Sequence, residues 1–152
     1  MKILFLDFDG VLNCERYVRN SKNFGLIIDP VRMKYLKSII EATDAEIVLT
    51  TSWREHWDTE EALCDETGKY INKLFNEFGL KIKDKTPYSG DGRENDIKIW
   101  LESNQGTTSF AVIDDAFLSA DFLSDHFIRT SNIRNGLELT DVEKIIKILN
   151  HS

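Results

Sequence analysis

Lys2-Ile3-Leu4-Phe5-Leu6-Asp7-Phe8-Asp9-Gly10 is the stretch on which the fold turns. Lys2 to Leu6 is a short apolar run that stops at an acid, which is how a buried strand reads. Asp7 and Asp9 break the run before it becomes the apolar region of a secretory leader. Two further runs repeat the pattern. Ala45 to Thr51 ends in Thr50-Thr51-Ser52, and Ser109 to Ile113 ends in Asp114-Asp115. Leu80–Lys83 and Phe127–Thr130 read as weaker strands.

Helical signals lie between the strands. Asp29-Pro30 reads as an N-cap and first turn, opening a helix to about Thr43 with Val31, Met33, Leu36, Ile39 and Ile40 at helical spacing. Thr59–Cys64, Lys69–Phe78 (stopped by Gly79) and Asp96–Glu102 read as helical. Thr140-Asp141-Val142-Glu143 reads as a capping box opening a last helix, Val142–Asn150. Cys14–Ile28 is polar and reads as an irregular loop or flap, and Pro87–Gly92 as a loop. Alternating apolar strands and amphipathic helices predict an α/β fold: a doubly wound, Rossmann-like, mostly parallel sheet with helices on both faces.

The 152 residues suit one domain over 1–152, large enough to bury a core. Apolar residues make up 41% and charged residues 30%, which excludes a disordered or collagenous chain. No apolar run reaches the ~18 residues of a membrane span. Two cysteines, Cys14 and Cys64, form no disulfide framework, so a reducing, cytoplasmic compartment is expected. A net charge of −7 argues against non-specific coating of nucleic acid, though not against a local basic groove.

In parallel sheets the ligand site lies beyond the carboxyl ends of the strands. The polar residues fall there. Asp7, Asp9, Asp114 and Asp115 would converge with the hydroxyls of Thr50, Thr51 and Ser52 and with Arg93 at a helix start. Clustered carboxylates repel unless a cation sits among them, and all-oxygen donors select Mg²⁺. Hydroxyls and a fixed arginine suit a phosphate.

In content and order these segments resemble the four motifs of the haloacid dehalogenase (HAD) superfamily: Leu6-Asp7-Phe8-Asp9-Gly10-Val11, Val48-Leu49-Thr50-Thr51-Ser52, Arg93 and Val112-Ile113-Asp114-Asp115. Asp9-Gly10-Val11-Leu12-Asn13, Thr50-Thr51-Ser52-Trp53-Arg54, Ile97-Lys98-Ile99-Trp100-Leu101 and Gly136-Leu137 before Thr140 resemble one branch, the HAD domains associated with RNA-repair proteins. The resemblance implies Asp7 as nucleophile and Asp9 as acid and base. It implies Mg²⁺ on Asp7, the Asp9 carbonyl and Asp114, with Asp115 holding metal-bound water or orienting Asp114. Thr50 or Thr51, with Ser52, would bind phosphate, Thr51 being preferred. Arg93 would stabilise the transferring phosphoryl group, with Lys98 as its rival. The implied activity is phosphomonoester hydrolysis, with a nucleic-acid end or a small phosphorylated metabolite as substrate. Only 13–28 and 80–92 offer room for an inserted cap, so a capless, open site is expected, closed only if the chain forms an oligomer.

Blander readings compete. An Asp-x-Asp-Gly calcium loop would need a third carboxylate and a glutamate at its twelfth position. A phosphate-accepting receiver domain places its acidic pair after the first strand and its phosphorylated aspartate mid-chain, the reverse of this order. A non-catalytic phosphate-binding module predicts loss of Asp7 or Asp9. Trp53 and Arg54 are candidate substrate contacts, and Arg16, Arg19 and Lys22 make 13–28 locally basic. Trp100 lies on an apolar helical face and reads as core.

Overall fold

The computed structural model describes residues 1–21, 25–131 and 134–151. Five parallel strands form one sheet in the order β3-β2-β1-β4-β5. They are β1 (Lys2–Leu6), β2 (Glu46–Leu49), β3 (Ile82–Lys85), β4 (Ser109–Asp114) and β5 (Phe127–Arg129). The helices are α1 (Glu15–Asn20), α2 (Pro30–Thr43), α3 (Glu66–Glu77), α4 (Arg93–Ser103) and α5 (Leu139–Asn150).

Alternation along each strand sends neighbouring side chains to opposite faces. Leu4 and Leu6 join Ile47, Leu49, Ala111 and Ile113 under α2, α3 and α5. Ile3 and Phe5 join Val48 and Val112 under α4, where Ile97 and Trp100 pack with Leu118 and Leu123. Both faces of β1 are therefore dry, and this explains its unbroken apolar sequence. Trp100 is core as expected: it meets Phe5 edge-on at 5.4 Å, and its indole N–H reaches Asp84 Oδ2 at 2.8 Å.

Several boundaries differ from the sequence reading. Cys14–Ile28 is not wholly irregular, because α1 occupies part of it; no residue of α1 is buried, so the segment carries no apolar period to read. Lys22 lies outside the described residues. The stretch after β2 winds into a 3₁₀ helix, Ser52–His56, while Thr59–Cys64 keeps only a 3₁₀ turn, Glu61–Leu63. Asp65 starts α3 earlier than expected by accepting from the Gly68 N–H at 3.0 Å. β3 lies two residues later than expected, and its register with β2 shifts between Ile47 and Val48. The last helix begins at Leu139, not Val142. Its cap uses Glu138 and Asp141, the Asp141 carboxylate accepting from the Glu138 N–H at 3.0 Å, so Thr140 lies inside the helix.

The carboxyl edge of the sheet is finished by a ladder that runs one hydrogen bond past the strands. Thr50 N–H donates to Leu6 O (3.0 Å), Thr86 to Leu49 (3.0 Å), Thr130 to Asp114 (3.0 Å) and Asp7 to Ile113 (3.2 Å). Residues that follow the strands in sequence thus stand side by side in space. Among the described residues no inserted domain covers this edge, and no helix is long and apolar enough to cross a membrane.

Candidate active site

Asp7 leaves β1 at the centre of the edge, flanked by Asp114 at the end of β4. Both are buried, and Asp115 is half-buried beside them. Each of the three offers a carboxylate oxygen within 4.8 Å of the others. Arg93, the first residue of α4, places Nη1 3.0 Å from Asp7 Oδ2 and 2.7 Å from Asp114 Oδ2. The other Asp114 oxygen accepts from the Ala116 N–H at 2.9 Å, fixing the side chain as an Asx cap on the turn that follows.

One guanidinium does not balance three carboxylates. Burial, with Asp114 beside it, pushes Asp7 up from 3.8 to about 8, although Arg93 opposes the rise. Asp115 is also raised, by burial first and by Asp114 second. Burial works against the Arg93 charge, yet Asp7 and Asp114 hold it above its ordinary value. An all-carboxylate donor set with uncompensated negative charge fits a hard divalent cation such as Mg²⁺.

Asp9 stands apart from this cluster. Its side chain is exposed, and both oxygens accept from neutral donors: Oδ1 from Asn13 Nδ2 at 3.1 Å and Oδ2 from Trp53 Nε1 at 2.8 Å. Asn13 is itself buried and fixed, accepting from the Gly10 N–H at 2.9 Å and donating to Ile27 O at 2.6 Å. Gly10 has φ +77°, and a Cβ there would fall 2.4 Å from Asp115 Oδ2. Only glycine permits both the turn and this approach. Remote chain braces the loop. Thr130 Oγ1 donates to Gly10 O at 2.6 Å, and Leu137 N–H donates to Val11 O at 2.8 Å. Gly136, at φ +65°, passes so close that a Cβ would sit 2.6 Å from Asn13 O.

The two threonines after β2 differ. The Thr51 hydroxyl accepts from the Trp53 N–H at 3.3 Å and caps the 3₁₀ helix. The Thr50 hydroxyl is buried and has no partner among the described residues. The sequence reading prefers Thr51 for phosphate, whereas the hydroxyl without a partner among the described residues belongs to Thr50. Ser52 is exposed at the start of the 3₁₀ helix. Arg93, not Lys98, reaches the carboxylates. Five residues turn an α-helix by about 500°, so Lys98 emerges on the solvent side of α4.

Arg54, a candidate substrate contact in the sequence, turns into the interior. Its side chain is fully buried and donates to Asp96 Oδ2 (2.8 Å), Thr86 O (3.1 Å), Thr51 O (3.2 Å) and Thr50 O. Tyr88 lies over the guanidinium, with the ring centroid 3.7 Å away. The sequence reading offers Trp53 and Arg54 together as candidate substrate contacts, and the structure separates them, Trp53 half-buried at Asp9 and Arg54 in the interior. Arg16 and Arg19 lie exposed on α1, where Arg19 pairs with Glu15 at 3.4 Å.

A parallel α/β sheet with acidic motifs at the ends of β1 and β4 and Arg93 between them defines a HAD-type hydrolase domain. Residues 3–142 match the family described as "HAD domain in Swiss Army Knife RNA repair proteins", and the chain belongs to that family. Searches of the curated proteins and of the solved structures gave no significant match.

Proposed function

We propose that this chain is a single-domain, cytoplasmic, Mg²⁺-dependent phosphomonoester hydrolase that acts through an aspartyl phosphate on Asp7. The observation that carries the reading is the division of the carboxylates. Asp7, Asp114 and Asp115 cluster around Arg93, while Asp9 is held apart by two neutral N–H groups. Asp7, Asp114, Asp115 and the Asp9 carbonyl would hold Mg²⁺, which would supply the positive charge that lets an anionic phosphate meet an anionic nucleophile.

An Asp7 oxygen attacks phosphorus. As the phosphorus–oxygen bond to the leaving group breaks, that oxygen takes a proton from Asp9. Asp9 then takes a proton from the water that attacks the aspartyl phosphate, and Asp7 returns as a carboxylate. Arg93, already directed between Asp7 and Asp114, balances charge on the transferring group. Thr50 Oγ1 and the Ser52 N–H bind phosphate oxygens. Cys14 and Cys64 are buried free thiols, which fits a reducing compartment.

The substrate class proposed is a terminal phosphate on a nucleic acid. The RNA-repair description of the family supports it, as do the uncovered sheet edge and the exposed Arg16 and Arg19. A phosphatase screen across sugar phosphates, nucleotides, phosphopeptides and phosphorylated oligonucleotides, with and without Mg²⁺, tests both levels. Release of phosphate that vanishes in chelator and in Asp7→Asn supports the chemistry. Equal kcat/KM for mono-, di- and tetranucleotide phosphates would remove the nucleic-acid substrate and leave the hydrolase.

A further inference from the structure

Trp53 has a donor to spend and spends it on Asp9. An indole offers one N–H and no acceptor. The indole is held on several sides. Its backbone N–H bonds to Thr51 Oγ1, its ring packs against the main core, and His56 lies against it with centroids 5.9 Å apart. That anchorage aims Nε1 at Asp9 Oδ2 from 2.8 Å. Asn13 takes the other oxygen. Arg93, the guanidinium of the site, is engaged with Asp7 and Asp114.

We propose that Trp53 is the positioning residue for Asp9, holding its carboxyl toward the leaving-group oxygen. The inference rests on the hydrolase reading above. Each carboxyl oxygen has two lone-pair sites, and Trp53 and Asn13 occupy one on each. A site remains for the proton that Asp9 gives up. When the leaving oxygen takes that proton, the electron pair of the broken phosphorus–oxygen bond stays on that oxygen as its new O–H bond. Asp9 is left anionic. The Trp53 N–H, bonded to Oδ2, holds the carboxyl in one orientation throughout that transfer. The same bond restricts the torsions of an otherwise exposed side chain, which shortens the search for a productive geometry.

The test is leaving-group dependence in Trp53→Phe, which keeps the ring and loses the donor. For a ping-pong enzyme kcat/KM reports phosphoryl transfer to Asp7, the half-reaction in which Asp9 acts as acid. For an alkyl phosphate, whose leaving oxygen needs the proton, kcat/KM should fall about 10- to 100-fold. For an aryl phosphate with an acidic phenol as leaving group, it should change less than about 3-fold, because that oxygen departs without help. In an Asp9→Ala background the same substitution should add nothing. A purely structural role predicts equal losses on both substrates and an additive loss with Asp9→Ala; either result overturns the proposal, as does unchanged activity on both substrates. Trp53→Leu, which also lacks a donor and keeps an apolar side chain in the same core contact, repeats the measurement if the phenylalanine variant does not fold. Should Asp7→Asn and Asp9→Asn both retain activity, the hydrolase reading itself has failed; should they lose it while Trp53→Phe is silent, only the role of Trp53 has.

Discussion

Arg54→Met should unfold this protein far more readily than any loss of a surface charge. The side chains of Arg54 and Asp96 are 2% and 6% exposed and meet at 2.8 Å. Removing the guanidinium leaves Asp96 buried with only the Ser89 N–H, 2.8 Å away, as a remaining donor. Breaking a buried pair from one side costs about 3–5 kcal/mol. The carbonyls of Thr50, Thr51 and Thr86 lose a donor as well, and Tyr88 loses the cation beneath its ring. A total near 4 kcal/mol is a large part of the ~5–15 kcal/mol that holds a domain together. For a chain of this size it corresponds to a Tm drop of about 8–16 °C. Urea titration followed by tryptophan fluorescence gives the free energy directly. In a cycle with Asp96→Asn the two losses should be sub-additive by about 2 kcal/mol or more, because the orphaned charge is the main cost. A stability change under about 1 kcal/mol, with KM raised for polynucleotide phosphates alone, would refute this account and return Arg54 to the substrate.

Other expectations follow from the same geometry. Asp7→Asn should lower turnover at least several hundred-fold while the protein stays folded, as a phosphatase assay beside circular dichroism will show. Asp7 binds its proton more tightly in the folded chain, at about 8 against 3.8, so stability in chelator should fall as pH rises from about 4 to 8, by up to about 1.4 kcal/mol per unit. Thermal melts across that window should show this slope, flattened in Asp7→Asn; a protein equally stable throughout would contradict it. Thr50→Val should weaken phosphate binding without loss of stability, since the hydroxyl it removes has no partner among the described residues, whereas Thr51→Val should cost about 1 kcal/mol of capping. Gly10→Ala should abolish activity, because its Cβ would displace the Asp115 carboxylate; a fully active variant would show that the close approach is dispensable.

The residues that meet at the candidate site were legible because strands announce their own ends. Asp7, Thr50 and Asp114 each follow or close an apolar run, and a parallel sheet brings such ends together. The family resemblance was legible for the same reason, being made of those ends. What surrounds them was not. Trp53 and Arg54 are adjacent in a 3₁₀ helix, yet one half-faces solvent and bonds Asp9 while the other is fully buried. No periodicity distinguishes them, because which way each side chain turns depends on where Asp96 and Thr86 arrive from later in the chain. The exposed α1 left no apolar trace at all. The register of β3, shifted against β2, reflects an irregularity at Ile47 and Val48 that neither strand's sequence declares.

The loop bearing Asp9 and Asn13 lies within the first fourteen residues, yet it is closed by Thr130, Gly136 and Leu137. Arg32 adds a second tie from α2, its Nη1 donating to Leu137 O at 2.7 Å. The loop-closure entropy for these contacts spans more than a hundred residues and is repaid only when the final helix docks. The order of synthesis therefore runs against the order of assembly. A ribosome releases Asp7 before the other residues of the site, but the backbone that sets Asp9 is in place only after residue 137 has emerged. Completion of the site becomes a read-out of completed folding: a chain stalled before Thr130 carries every acidic residue of the site and still holds Asp9 in an unset loop.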